Sequence, residues 1–227
     1  MSIIEREMGS IVYMESIIVP MSLFLTMGYH AYLWHKLKTK PSQTTIGLNI
    51  LKRRAWLREL HQGDDKKGML AVQSLRNTLM FAILTATVTV IVTLCLAALT
   101  NNALGAAGML GAGVFGSQSP RIVVLKYASA SIFLLASFLC SSLAVGFLVD
   151  ANFLINAIGE FAAGGGYTEA VVERGFAMAV AGNRVLCMAL PLLLWLFGPL
   201  PVALSSAAIV WGLYELDFVA SLSRVAV

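Results

Sequence analysis

Strongly basic sequence lies between two long apolar segments, and that arrangement constrains the chain more than any other feature. Residues 36–76 hold Lys36, Lys38, Lys40, Lys52, Arg53, Arg54, Arg58, Lys66, Lys67 and Arg76, ten of the sixteen Lys and Arg residues. The flanking segments, 16–35 and 78–99, contain no Asp, Glu, Lys or Arg. About 20 apolar residues at 1.5 Å rise cross a hydrocarbon core of roughly 30 Å. A helix meets its own backbone hydrogen-bonding needs in lipid. The expected fold is therefore all-α, a polytopic membrane protein of about four transmembrane helices. Positive loops stay on the side of insertion, which places 36–76 in the cytosol or its organellar equivalent. The expected location is the plasma membrane or an organellar inner membrane.

Composition supports the same class. At 58% hydrophobic and 12% charged, the chain is far from the roughly 25% charge of soluble domains. The net charge of +4 is segregated into one loop, which argues for topology and against a nucleic-acid partner. Cys95, Cys140 and Cys187 are widely separated within apolar segments and read as small fillers, with no disulfide framework or zinc site implied.

In chain order, the first crossing covers 16–35, with Pro20 expected in its first turns and aromatic anchors at its inner end. Within the loop, 48–61 intersperses Leu51, Trp56, Leu57 and Leu60 with Lys52, Arg53, Arg54 and Arg58. That pattern predicts a basic amphipathic helix on the headgroups, with Lys52, Arg53, Arg54, Trp56 and Arg58 as a surface for anionic lipid or a partner. After Gly63, Asp64 or Asp65 caps a helix that leads through Arg76 and Asn77 into the second crossing, 78–99. Thr78, Thr85, Thr89 and Thr93 share one face of it. Such a stripe reads either as close helix packing or as a water-lined path.

A glycine-rich outer loop, 101–120, precedes the third crossing, 122–149. Lys126 is expected to snorkel to the outer headgroups. It shares a face with Ala130, Ser137, Ser141 and Ala144. An inner segment, 150–175, carries Asp150, Asn152, Asn156 and Glu160, with Thr168 and Glu169 resembling a fresh cap. The last apolar region, 184–218, is too long for one straight crossing. Gly198-Pro199-Leu200-Pro201 breaks it, either as a kink in a fourth helix or as a reversal into a second short crossing. Arg184, beside Asn183, is the sharpest anomaly, since a mid-membrane arginine costs at least ~2.5–3.5 kcal/mol. Either it faces protein or water, or the helix starts late and Arg184 snorkels beside Asp150 or Glu160.

No enzymatic signature is present: no GxSxG, no HExxH, no phosphate-cradling loop. His30, His35 and His61 do not make a bis-histidine haem site. No catalytic residue, cofactor or metal is expected. Gly28-Tyr29-His30-Ala31 with Trp34-His35, Asp64-Asp65-Lys66-Lys67 leading to Leu70-Ala71-Val72-Gln73-Ser74-Leu75-Arg76-Asn77-Thr78, and Gly182-Asn183-Arg184 leading to Pro191-Leu192-Leu193-Leu194-Trp195 together resemble a known family. It is the multi-pass membrane family of plants and bacteria termed domain of unknown function 599. The resemblance covers nearly the whole chain. It implies about four membrane helices, no established activity and no catalytic residues, and it lends weight to Arg76, Asn77, Asn183 and Arg184.

Two functions are expected to compete. One is a homo-oligomeric channel or transport protein, with anions as the expected cargo, whose polar path uses Arg76, Asn77, Thr78, Thr85, Thr89, Lys126, Ser137, Ser141, Asn183 and Arg184. The other is a non-conducting scaffold, regulator or accessory subunit of a membrane complex.

Overall fold

The computed structural model describes residues 3–60, 65–106, 120–156 and 165–218. Helix α1 is Ile3–Thr39, followed by a 3-10 turn at Pro41–Gln43 and by α2, Thr45–Leu60. Then come α3, Asp65–Ala106; α4, Pro120–Asn156; and α5, Gly165–Leu194. A second 3-10 turn, Trp195–Phe197, leads into α6, Pro199–Asp217. The expectations placed on Gly63, Asp64, Glu160 and most of the glycine-rich loop lie outside the described residues.

Among the described residues five helices, not about four, are long and apolar enough to cross a membrane: 13–39, 69–100, 121–155, 166–197 and 199–217. Their outward faces suit lipid. Phe24, Leu84, Leu94, Ile132, Leu135, Leu204 and Trp211 are exposed, whereas Ala82, Ala130, Ala144, Thr89, Ser137 and Ser141 are buried. Small residues inside and large apolar ones outside is how helices pack when lipid, not water, is the solvent.

The extra crossing arises at both ends of the last apolar region. The segment expected to stay inside, 150–175, is helical at each edge: α4 runs to Asn156 and α5 begins at Gly165. Thr168 is buried within the first turns of α5 and does not cap it. Helix formation needs backbone bonds, not apolar side chains, so charged turns stand outside the lipid as part of the same helix. For the same reason α1 begins well before residue 16, and Pro20 lies in its interior and not in its first turns. At the break, Gly198 has φ 116° and its N–H bonds Trp195 O at 3.1 Å. Only glycine adopts that conformation at little cost, and the chain reverses there. Helix α6 is then a separate return helix, about 28 Å long at 1.5 Å per residue.

Two apolar layers show the direction of each helix. One unites Leu57, Leu75, Ala82, Leu148, Ala151 and Val171 near the basic loop. The other unites Val19, Leu96, Ala130, Leu134, Leu192, Trp195 and Val202 at the far end. Helices α3, α4 and α5 share long interfaces, while α1 packs mainly along α6. The molecule is thus a three-helix body and a two-helix body, joined along α5 and α6.

Candidate functional site

Within the three-helix body the hydroxyl stripes meet each other. Thr85 Oγ1 donates to Phe81 O at 3.0 Å, and Thr89 Oγ1 donates to Thr85 O at 2.7 Å. Thr89 also lies 3.3 Å from Ser137 Oγ, which donates to Gly182 O at 2.7 Å. One hydroxyl chain therefore ties α3, α4 and α5 together. Thr85, Thr89, Ser137 and Ser141 are all buried. A Cβ on Gly182 would come within 3.1 Å of Ser141 N and 3.2 Å of Ser137 O, and would press on Ser141 Oγ. Glycine here permits backbone contact. The stripe is thus buried and hydrogen-bonded between helices, the arrangement of a packing surface.

The charges behave differently. Lys126, expected to snorkel outward, is only 3% exposed, and its Nζ lies 3.0 Å from Glu15 Oε1, which is equally buried. The same ammonium stands over the Trp195 ring, 5.8 Å from its centroid. The helix α1 begins early enough to bring Glu15 to this depth, and that is why Lys126 turns inward: a buried carboxylate is a better partner than distant headgroups. The pair joins α4 of one body to α1 of the other at the far end.

At the loop end a second pair does the same between α5 and α6. Arg184 Nη2 donates to Asp217 Oδ1, and Tyr29 Oη donates to Asp217 Oδ2 at 2.5 Å. Asp217 is 1% exposed. A carboxylate on the last residue of a helix faces the negative end of the helix dipole, so it requires the guanidinium and the phenol. Arg184 does not stand at a late helix start, because nineteen residues of α5 precede it. Its partner comes from the return helix. Thr45 Oγ1 donates to Leu216 O at 2.9 Å, a bridge pairs Thr44 with Phe218, and the rings of Tyr32 and Tyr214 meet that of Phe218 at a tilt. These contacts close the loop end over the ion pair.

Helix α2 docks on protein instead of resting on headgroups alone. Leu57 is buried in the loop-end core with Trp56 packed against it. Arg53 stacks on Phe176 at 4.1 Å from the ring centroid and lies 3.4 Å from Thr78 Oγ1; burial lowers its affinity for its proton. Arg54 Nε and Nη2 both donate to Glu173, the latter at 2.7 Å, which raises its pKa. Arg58 lies 3.7 Å from Glu169 and remains largely exposed, as does Lys52. Arg76 and Asn77 are exposed on α3, and Asn183 is half-buried; none of them joins either ion pair.

The expected residue set thus divides. The structure brings Thr85, Thr89, Ser137, Ser141 and Gly182 together, places Lys126 and Arg184 in separate clasps, and leaves Arg76 and Asn77 on the surface. Sequence reasoning gave no functional role to Glu15 or Asp217 and met Tyr29 and Trp195 only as members of the family motifs. A charge-balance signal was available for two of them, since a lone acid at the border of an apolar run needs a cation as much as Lys126 and Arg184 need an anion.

A family model described as "Protein of unknown function, DUF599" matches residues 17–222. No curated protein and no solved structure matches the chain.

Proposed function

The chain belongs to the DUF599 family of proteins of unknown function, and from that premise we propose that it is a membrane transport protein whose two helix bodies part at one end at a time. One observation carries this reading: two ion pairs, the buried Lys126–Glu15 and the part-buried Arg184–Asp217, each bridge the bodies, one at each end of the interface. A buried pair is a poor choice where stability alone is needed, because apolar residues of similar volume often do as well or better. Ionisable residues within membrane segments mark function by default. A charge pair differs from an apolar contact in that water or a solute can replace either partner, so an ionic clasp can be exchanged for another contact.

In this proposal the path runs between the bodies and not along the threonine stripe. Lys126 and Arg184 each face a carboxylate, so they do not build the cationic ring that selects anions, and the expected anion cargo loses its basis. No homo-oligomeric ring is required to enclose such a path. The basic loop and the end of α6 occupy the same side, cytosolic by the charge rule, where exposed Lys52 and Arg58 meet anionic lipid.

The test is reconstitution. Vesicles carrying folded protein are expected to pass at least one member of a panel of labelled inorganic ions, organic cations and amphiphiles. Arg184→Met with Asp217→Leu, a neutral replacement that retains volume, is expected to lower that flux about tenfold while the protein still folds. Vesicles tight to the whole panel would retire transport. The non-conducting scaffold or accessory subunit would then stand, favoured by the close packing of the buried hydroxyl stripes.

A further inference from the structure

Between α1 and the α4–α5 body, at the far end, lies a groove of about 320 Å³ lined by Glu15, Ser16, Pro20, Leu125, Ser129 and Trp195, with further apolar side chains. It falls in the size range of small-molecule sites, roughly 300–1,000 Å³. Its wall is almost wholly apolar, and Glu15 is the one ionisable residue in it; Lys126 is not part of the wall. An occupant therefore meets the Trp195 ring and two serines set in hydrocarbon, and it reaches the Glu15 carboxylate, buried against Lys126, only by displacing that ammonium.

We propose that this groove binds a lipophilic cation, an ammonium or phosphonium carrying apolar groups. The protein itself demonstrates the fit. Lys126 places an ammonium 3.0 Å from Glu15 and 5.8 Å from the Trp195 centroid, so these two groups already hold a positive charge together. A carboxylate supplies the counter-charge and an aromatic face adds cation–π attraction, which grows when the cation is desolvated. The apolar wall takes the rest of the ligand. An anion of the same shape would face Glu15 in a medium where like charges repel strongly. A ligand cation competes with Lys126 for the same partners and thereby loosens the far-end clasp. The inference rests on the transport reading only for what the ligand is used for; binding itself needs no flux.

Tetraphenylphosphonium and tetraphenylborate, alike in shape and opposite in charge, separate the cases. Full-length protein in lipid nanodiscs is titrated with each against empty nanodiscs. The phosphonium is expected to bind saturably and the borate about tenfold more weakly. Lys126→Met removes the competing ammonium and is expected to tighten phosphonium binding about tenfold. Adding Glu15→Gln to Lys126→Met is expected to remove that gain and about another tenfold. A purely structural Lys126–Glu15 pair predicts the opposite for the single variant, namely weaker binding or none. Equal binding of the two ions by the unaltered protein, which needs no variant to fold, would overturn the proposal, as would looser binding in a folded Lys126→Met protein. Saturable phosphonium binding without flux would retire transport alone; flux without it would retire this site alone.

Discussion

The α4–α5 interface and the interface between the two bodies solve the same problem, joining apolar helices in lipid, by opposite means. Between α4 and α5 the contact is glycine and hydroxyl: Gly182 lets Ser137 and Ser141 approach backbone to backbone, and no ion pair joins the two helices among the described residues. Between the bodies the contact is ionic at both ends, with an apolar groove beside the far-end pair. Close van der Waals contact is lost steeply with separation, so the first interface suits surfaces that stay together. A charge pair accepts substitute partners and keeps attracting over a longer range, so the second suits surfaces that separate and rejoin. The contrast teaches that polar residues in one small membrane protein need not share one purpose.

The sharpest way to break the comparison is to leave one clasp half made. Asp217→Ala is expected to cost ~3–5 kcal/mol, since it strands Arg184 among apolar helices; the check is thermal unfolding in detergent. Arg184→Met with Asp217→Leu is expected to cost much less than Asp217→Ala alone. Equal losses would mean that the acid contributes through packing, and the ionic account of this interface would fail.

Next in size is Tyr29→Phe. Removing a hydrogen bond to a charged group is expected to cost ~1.5–3 kcal/mol. The loss should vanish in protein that already carries Arg184→Met and Asp217→Leu, where no carboxylate remains to accept the bond. A double-mutant cycle in the same melting assay reads that coupling; additive losses would place Tyr29 outside the clasp.

The tight interface is probed by Gly182→Ala. Overpacking costs ~1–3 kcal/mol, offset by up to about 1 kcal/mol of helix propensity gained over glycine. The backbone of Ser137 and Ser141 cannot rotate away, so the net effect is expected to be destabilising. A melting temperature at or above that of the unaltered protein would show that the helices slide there as easily as at the ionic interface.

Smallest is Thr89→Val, which keeps the shape and removes one interhelical hydroxyl. Such bonds average ~0.6 kcal/mol in membrane proteins, and flux in an active preparation should be unchanged. A large flux defect with small loss of stability would restore the water-lined reading of the threonine stripe.

Much of the fold was legible because lipid imposes strict rules. Apolar length located the apolar helices, and the spacing of Thr78, Thr85 and Thr89 placed them on one buried face. The start of α5 was legible to within a few residues, since Thr168 and Glu169 read as a fresh cap and the helix begins at Gly165; that Arg54 and Arg58 of α2 answer Glu169 and Glu173 was not, because nothing in the spacing pairs them. Nor could Gly198 and Pro199 decide between kink and reversal, since both residues permit either.

The sequence by itself determined that this is an all-helical chain with helices long and apolar enough to cross a membrane, which segment concentrates its basic charge and which positions carry unusual charge, because hydropathy, helix rise and charge are properties of residues in order. Only the tertiary structure decided that Lys126 belongs to Glu15 and Arg184 to Asp217, and that the hydroxyl stripe is closed by Gly182. Those pairings join residues 111 and 33 positions apart, and the attraction between two charges depends on their distance in space, on which spacing along the chain is silent.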